Sequence, residues 1–206
     1  LLMPTGGRVL DVGCGAAAHM CELAPSIVRQ GTESDSALAA FASSNGVRVV
    51  APDLASVQFL SDEAGGFDAI TAIGVFECTD DYKTAFRQAI ELLSPTGFLL
   101  FETAVLSSSH QDDAWMDPRH GHRFLPDEDA LKYVARQSGT SNLVGRELVL
   151  RDRASTFVGL VTRSPDRLLE LRSQFERVLT AMPGPAEAER IAAIQLHLLH
   201  AGHSTE

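Results

Sequence analysis

The chain has 206 residues, 45% of them apolar and 21% charged, the size and make-up of one globular domain with a substantial core. No stretch of about 18 apolar residues suits a membrane span, and no charged-then-apolar leader reads as a signal peptide. The 17 basic and 27 acidic residues give a net charge of −10, a field that counts against a broad nucleic-acid footprint and suits neutral or cationic small molecules, a protein or a sugar.

From the N-terminus, Arg8–Val12 is a short apolar run closed by a glycine-rich turn, and reads as a buried strand. Residues 16–24 follow as a helix and 27–33 as a second strand. Ser36–Ser44 is a second helix, stopped by Asn45-Gly46. Residues 47–51 form a third strand and Phe67–Ile73 a fourth. The spacing of Ala85, Phe86, Ala89, Ile90 and Leu93 predicts a helix over 81–93. Pro95-Thr96-Gly97 then turns the chain into a fifth strand over 98–103. Strands that alternate with helices and are apolar throughout predict an α/β fold, a doubly wound and mostly parallel sheet covered on both faces.

After residue 103 the pattern changes. Residues 104–125 are polar, rich in Ser, Asp and His, and contain Trp115. Residues 126–137 read as a helix with Pro126 in its first turn. Residues 143–150 and Ser155–Thr162, joined by Arg151-Asp152-Arg153, read as an antiparallel pair at the far edge of the sheet. They bring the sheet to seven strands with an antiparallel last strand, in a domain expected over 1–163. Residues 164–206 are expected to be a C-terminal helical extension. Leu168, Leu171, Phe175, Val178 and Met182 make an apolar stripe, Pro183-Gly184-Pro185 breaks it, and 186–200 form a second helix. Such a tail suits docking on the domain, a homodimer, or a junction to further domains of a longer chain. His197, His200 and His203 within it read as a solvated helix end rather than a metal site. Cys14, Cys21 and Cys78 form no CxxC pair and read as free thiols of a reducing compartment, hence a cytoplasmic location.

The segment that carries chemistry is Val9-Leu10-Asp11-Val12-Gly13-Cys14-Gly15-Ala16. A strand ends in an acid, and two spaced glycines let the backbone pass close to a ligand before a helix begins. This segment resembles motif I of the class I, Rossmann-like S-adenosylmethionine-dependent methyltransferases. The family's glycine two residues after Gly15 is Ala17 in this chain. The resemblance continues in order. Glu33, followed by Ser34, closes the second strand, where the family's acid chelates the two ribose hydroxyls. A carboxylate suits a vicinal diol because it accepts two hydrogen bonds. Asp53 follows the third strand in Ala51-Pro52-Asp53-Leu54 and resembles the acceptor from the adenine amino group, with Leu54 supplying a backbone N–H. Phe67-Asp68-Ala69-Ile70 and then Gly74-Val75-Phe76-Glu77 look like motif IV and its exit, where the donor's methionine end meets the acceptor. Leu92-Leu93-Ser94-Pro95-Thr96-Gly97-Phe98-Leu99-Leu100 is similar to the family's "LL-x-P-x-G-x-LL" stretch.

The resemblance implies S-adenosyl-L-methionine as cofactor, with Asp11, Gly13, Cys14, Gly15, Glu33, Ser34, Asp53, Leu54, Gly74 and Val75 around it. Family members usually carry helices ahead of the first strand, and the first strand here starts about seven residues in, so a domain cut from a longer polypeptide is expected. A rival reading is an NAD(P)-dependent oxidoreductase, because Gly13-x-Gly15-x-x-Ala18 with Glu33 beyond it also fits a dinucleotide fingerprint. Asp11 ahead of the glycines, Asp53 after the third strand and the antiparallel finish disfavour it. A non-catalytic methyltransferase-like binding domain is a second alternative. Nucleic-acid methylation is disfavoured by charge and by the lack of an Asn/Asp-Pro-Pro-Tyr/Phe motif.

Methyl transfer to oxygen needs a proton removed as well as alignment. The polar stretch offers His110, His120 and His122 with Asp112, Asp113 and Asp117 nearby. His120 is the first candidate for the catalytic base and His122 the second. The run Asp117-Pro118-Arg119-His120, ending in Pro126, resembles a "D-P-x-H … P-x-x-L" segment of methyltransferases in bacterial surface-polysaccharide and sugar pathways. That likeness implies an O-methyltransferase acting on a small molecule or glycan. No ligand spacing demands a metal. Trp115 and Phe124 are expected either to wall the acceptor or to close the core. Glu77 and Asp80 read as surface caps of the following helix more readily than as groups at the site mouth.

Overall fold

The computed structural model describes residues 3–4, 6–57, 65–106, 121–149 and 155–181. Seven strands form one sheet: β1 (Arg8–Val12), β2 (Val28–Thr32), β3 (Arg48–Ala51), β4 (Phe67–Ile73), β5 (Leu93–Val105), β6 (Leu143–Val149) and β7 (Ser155–Thr162). Their order across the sheet is β3-β2-β1-β4-β5-β7-β6. The first five strands pair in parallel, and β7 runs antiparallel to both β5 and β6. From β1 the chain winds to one side through β2 and β3, then crosses back to β4. The strand order therefore switches between β1 and β4, and the crevice at the carboxyl ends of those strands is where such a sheet takes a ligand.

Among the described residues five α-helices cover the sheet: α1 (Ser36–Ser44), α2 (Leu54–Val57), α3 (Tyr82–Glu91), α4 (Glu128–Gln137) and α5 (Pro165–Ala181). On one face Phe76, Phe86, Phe101 and Phe157 pack with Leu131, Val134 and Ile90. On the other, Val9, Met20, Ala42, Phe98 and Leu100 pack with Leu171 and Phe175 of α5. Each such ring, fully buried, contributes about 1.5–3 kcal/mol. Leu168, Leu171 and Phe175 of α5 thus join the core of the sheet, while the expected second tail helix and its histidines lie outside the described residues.

Four local expectations differ from the structure. Residues 16–24 give only a single 3-10 turn, His19–Glu22, not a helix. Ala17 takes φ +53, which an α-helix excludes, and Pro25 pushes Ala24 out of the helical region, so one turn is all that remains. α4 begins at Glu128 rather than at Pro126, because the Asp127 side chain accepts from the Ala130 N–H at 2.7 Å and caps the helix. β5 begins at Leu93, and the expected Pro95-Thr96-Gly97 turn is an irregularity within it. Residues 93 and 98 pair with 67 and 69, so extra chain bulges out between two registers. Gly97 is required there, since a Cβ would collide with the Phe67 carbonyl oxygen. Finally, α3 is capped by Asp81, whose carboxylate accepts from the Thr84 N–H at 3.1 Å, and not by Glu77 or Asp80.

Candidate functional site

Leaving β1, the backbone takes positive φ at Gly13 (+65), Gly15 (+54) and Ala17 (+53). The end of β2 fixes the first half of this turn. The Gly13 N–H donates to Thr32 Oγ1 at 3.1 Å, the Cys14 N–H to the Thr32 carbonyl at 2.8 Å, and the Gly15 N–H to Glu33 Oε2 at 2.9 Å. At Gly13 a Cβ would lie 2.9 Å from Val75 Cγ2, so the glycine keeps open the gap between the β1 and β4 exits. The resulting crevice of about 190 Å³ is lined by Gly13, Glu33, Ser34, Asp53, Leu54 and Val75, among others.

The acids in this crevice are held by backbone amides. Glu33 accepts from Gly15 on Oε2 and from the Asp35 N–H on Oε1 at 2.7 Å. A carboxylate offers about four acceptor sites, so each oxygen keeps capacity for one hydroxyl of a diol. Asp53 accepts both the N–H and the hydroxyl of Ser56 on Oδ1, each at 2.8 Å, leaving Oδ2 directed by a turn rather than by an ion pair. This donor set fits an adenosyl group: a fixed carboxylate after β2, an acceptor after β3, and a backbone cradle after β1. Four of the residues that the sequence placed around the cofactor do not line the crevice: Asp11, Cys14, Gly15 and Gly74. Asp11 is buried, with Thr71 donating to its Oδ1 at 2.5 Å and His19 Nε2 standing 3.0 Å from its Oδ2. Burial, then the charges of Asp11 and Glu33, push the Cys14 thiol up to about 11, so its side chain stays neutral.

The β4 and β5 exits carry a second group of acids. Glu77 is not a surface cap; it is 2% exposed. Thr103 donates to its Oε2 at 2.9 Å, and its backbone carbonyl accepts from the Arg123 and Phe124 amides. Burial raises the Glu77 carboxyl above its ordinary value, against the opposing pull of its own N–H, the Thr103 hydroxyl, the Ala104 N–H and the charge of His122. Glu102 is also buried and accepts from the Thr156 hydroxyl. The two carboxylates flank Gly74: a Cβ there would sit 3.8 Å from Glu77 Oε1 and 4.0 Å from Glu102 Oε2. The Tyr82 hydroxyl is buried without a hydrogen-bond partner among the described residues, and burial followed by the Glu77 charge makes it still harder to ionise.

His122, one of the two sequence candidates for the base, is half-buried beside Glu77. His120, His110, Trp115 and the aspartates 112, 113 and 117 lie outside the described residues. Phe124 is 44% exposed and does not close the core; Asp80 is exposed and pairs with Arg123. Glu102, Thr71 and His19 were missed. A signal existed for Glu102, a lone acid in the apolar run Phe98-Leu99-Leu100-Phe101-Glu102-Thr103. For His19 there was none, since its partner lies across a turn whose shape periodicity does not report. Among the described residues no group of His, Cys, Asp and Glu is arranged to hold a metal, and no helix is long and apolar enough to cross a membrane.

Residues 1–143 match the family described as a methyltransferase domain. A ubiquinone biosynthesis O-methyltransferase of Xanthomonas axonopodis pv. citri is 31% identical over 114 residues, half of this chain. The matched part spans 45% of that relative's length. Among solved structures, the YcgJ protein of Bacillus subtilis superposes with a TM-score of 0.59 at 14% identity, over 79% of this chain and 94% of that one. An arsenic(III) S-adenosylmethionine methyltransferase of Chlamydomonas reinhardtii gives 0.61 at 17% identity, over 79% and 66%. The strand order, the crevice at its switch point and the match over more than half its length place this chain in the methyltransferase domain family, within the Rossmann-like class. Its cofactor is S-adenosylmethionine.

Proposed function

We propose that this chain methylates a hydroxyl of a small-molecule or glycan acceptor. The observation that carries this reading is Glu77, a buried carboxyl at the β4 exit that is reluctant to stay charged. When bound, the cofactor supplies an already activated methyl group. Glu33 and Asp53 hold its adenosyl end, and the Gly13 turn lets the backbone close on it. On the other side of Gly13, Val75 and Gly74 lead to Glu77, whose carboxylate takes the proton of the acceptor hydroxyl as that oxygen bonds to carbon. A carboxyl raised by burial is the stronger base once ionised. His122, beside it, stabilises the ionised form and hands the proton on to water. His120 stays a candidate for the acceptor contact by its place in the sugar-pathway-like run. The 31% identical O-methyltransferase supports an oxygen acceptor. The free thiols Cys14, Cys21 and Cys78 suit a reducing, cytoplasmic setting.

The test is transfer of labelled methyl from S-adenosylmethionine to catechols, free hexoses and sugar nucleotides, with S-adenosylhomocysteine titrated calorimetrically in parallel. Methylation of at least one hydroxyl acceptor is expected. Homocysteine-product binding with no transfer to any acceptor would favour a binding domain, and NADH binding in its place would return the dinucleotide reading.

A further inference from the structure

The mechanism makes no use of the most buried charged contact near the cofactor turn. Asp11 at the end of β1 is 2% exposed, and Thr71, opposite it on β4, is fully buried. Thr71 satisfies one oxygen, Oδ1. The other, Oδ2, stands 3.0 Å from His19 Nε2 as a close ion-pair contact out of hydrogen-bond alignment, and among the described residues neither atom has a hydrogen-bond partner. A buried carboxylate left without a partner costs several kcal/mol, so the imidazole and the acid fix each other.

The contact spans the cofactor turn. Asp11 precedes it and His19 follows it, with the three left-handed residues Gly13, Gly15 and Ala17 between them. Thr32 and Glu33 fix only the first half of the turn, through the amides of residues 13 to 15. The second half contains Ala17, whose left-handed backbone is strained in an L-residue. It is buried at 1%, so the strain is not relieved by moving outward. This half is tied back by the Ala17 N–H, which donates to the Cys14 carbonyl at 2.7 Å, by the packing of Ala17 and Met20 in one core cluster with Val9 of β1, and, as its polar contact with β1, by the His19 side chain. We propose that His19 is a positioning residue for the cofactor: by clasping Asp11 it holds the strained second half of the turn in its binding shape.

The clasp has a pH signature. Burial draws the His19 pKa down, but the close polar contact with Asp11 and that acid's charge outweigh it, and the net shift is upward from 6.5. A raised folded pKa means a contribution complete below the ordinary value and lost as pH climbs through the folded one. Asp11 on β1 is the charged group in contact with His19 and the one that acts on it; Cys21 and Glu22 share its 3-10 turn, and Arg29 on β2 reaches that turn by donating from Nη1 to the Met20 carbonyl at 3.3 Å. His19→Gln separates its titration from theirs, because the amide can still donate to Asp11 and does not ionise.

The experiment measures S-adenosylhomocysteine affinity by calorimetry at pH 6 and pH 8.5 for the wild type, H19Q, H19A and A17G/H19A. In parallel, amide resonances of Gly15 and Ala17 are followed through a pH titration without ligand. Wild-type affinity is expected to fall several-fold from pH 6 to pH 8.5, and H19Q to lose that slope. H19A is expected to bind roughly tenfold or more weakly at pH 6, and Ala17→Gly to restore part of the loss by removing the strain. Equal pH slopes in wild type and H19Q, or H19A affinity equal to wild type, would overturn the proposal. If H19A does not fold, the H19Q slope decides. A wild type that binds no ligand while its Gly15 and Ala17 amides titrate with His19 refutes the cofactor and leaves the clasp; amides that ignore His19 refute the clasp.

Discussion

The acids after β2 and β3, which line the crevice, and the acids at the β4 and β5 exits, which flank Gly74 next to its Val75 wall, are held in opposite ways. Glu33, half-buried, and Asp53, exposed, follow their strands and are held by amides and a serine two to 18 residues away. Glu77 and Glu102 are buried, held by threonine hydroxyls 26 and 54 residues distant in sequence. The first kind of acid is a fixed acceptor of hydrogen bonds. The second is a site where charge is costly and a proton is readily kept. In the proposed reaction the first group grips the cofactor and the second exchanges protons, with Gly13 and Gly74 between them.

The sharpest way to break this contrast is Glu77→Gln. Methyl transfer to a hydroxyl acceptor should fall roughly 100-fold or more, the usual scale for losing a general base, while S-adenosylhomocysteine affinity holds. Stability should move the other way. The raised carboxyl stabilises the fold fully below about 4.5 and loses that contribution as pH rises through the folded value. The glutamine variant should therefore melt higher than wild type at pH 8 and show less decline between pH 5 and 8. A variant that keeps its activity, or melts lower at pH 8, would remove Glu77 from the proton path.

Glu33→Ala probes the gripping end. It deletes two amide acceptors and the ribose partner together, and cofactor affinity should drop by about 1.5–3 kcal/mol, read by calorimetry. Unchanged affinity would mean that the carboxylate only braces the turn. Next in size, Gly97→Ala places a Cβ against the Phe67 carbonyl and should cost about 1–3 kcal/mol of stability in denaturant; the same stability as wild type would show that the β5 bulge yields. The smallest effect is Ala17→Gly. Relief of the left-handed alanine exceeds the added freedom of the unfolded chain, so stability should rise by about 0.5–1 kcal/mol. A fall in melting temperature would mean the alanine's methyl group, buried in the core, matters more than its backbone.

The same contrast explains what the sequence disclosed. The strands and the gripping acids were legible because each sits where an apolar run meets a turn, and both signals are local. Thus Glu33, Asp53 and the whole of β7 (Ser155–Thr162) could be read directly. The second group was not, because Thr103 meets Glu77 only when β5 pairs with β4, and Thr156 meets Glu102 only when β7 pairs with β5. The helix expected over 16–24 failed for a related reason: apolar spacing cannot report the sign of φ at Ala17. The bulge over residues 94–97 looked like a turn because Pro and Gly mark both.

The position of β7 bears on how the molecule is made. It is the last of the described strands in chain order, yet it lies in the middle of one half of the sheet, between β5 and β6. Until residues 155–162 emerge, the long flank of β5 has no neighbour, and a nascent chain halted near residue 143 presents it as an open template for unwanted pairing. The Thr156 hydroxyl that joins Glu102 arrives with that same strand. Completion of the sheet and completion of the reactive end are thus one late event in synthesis.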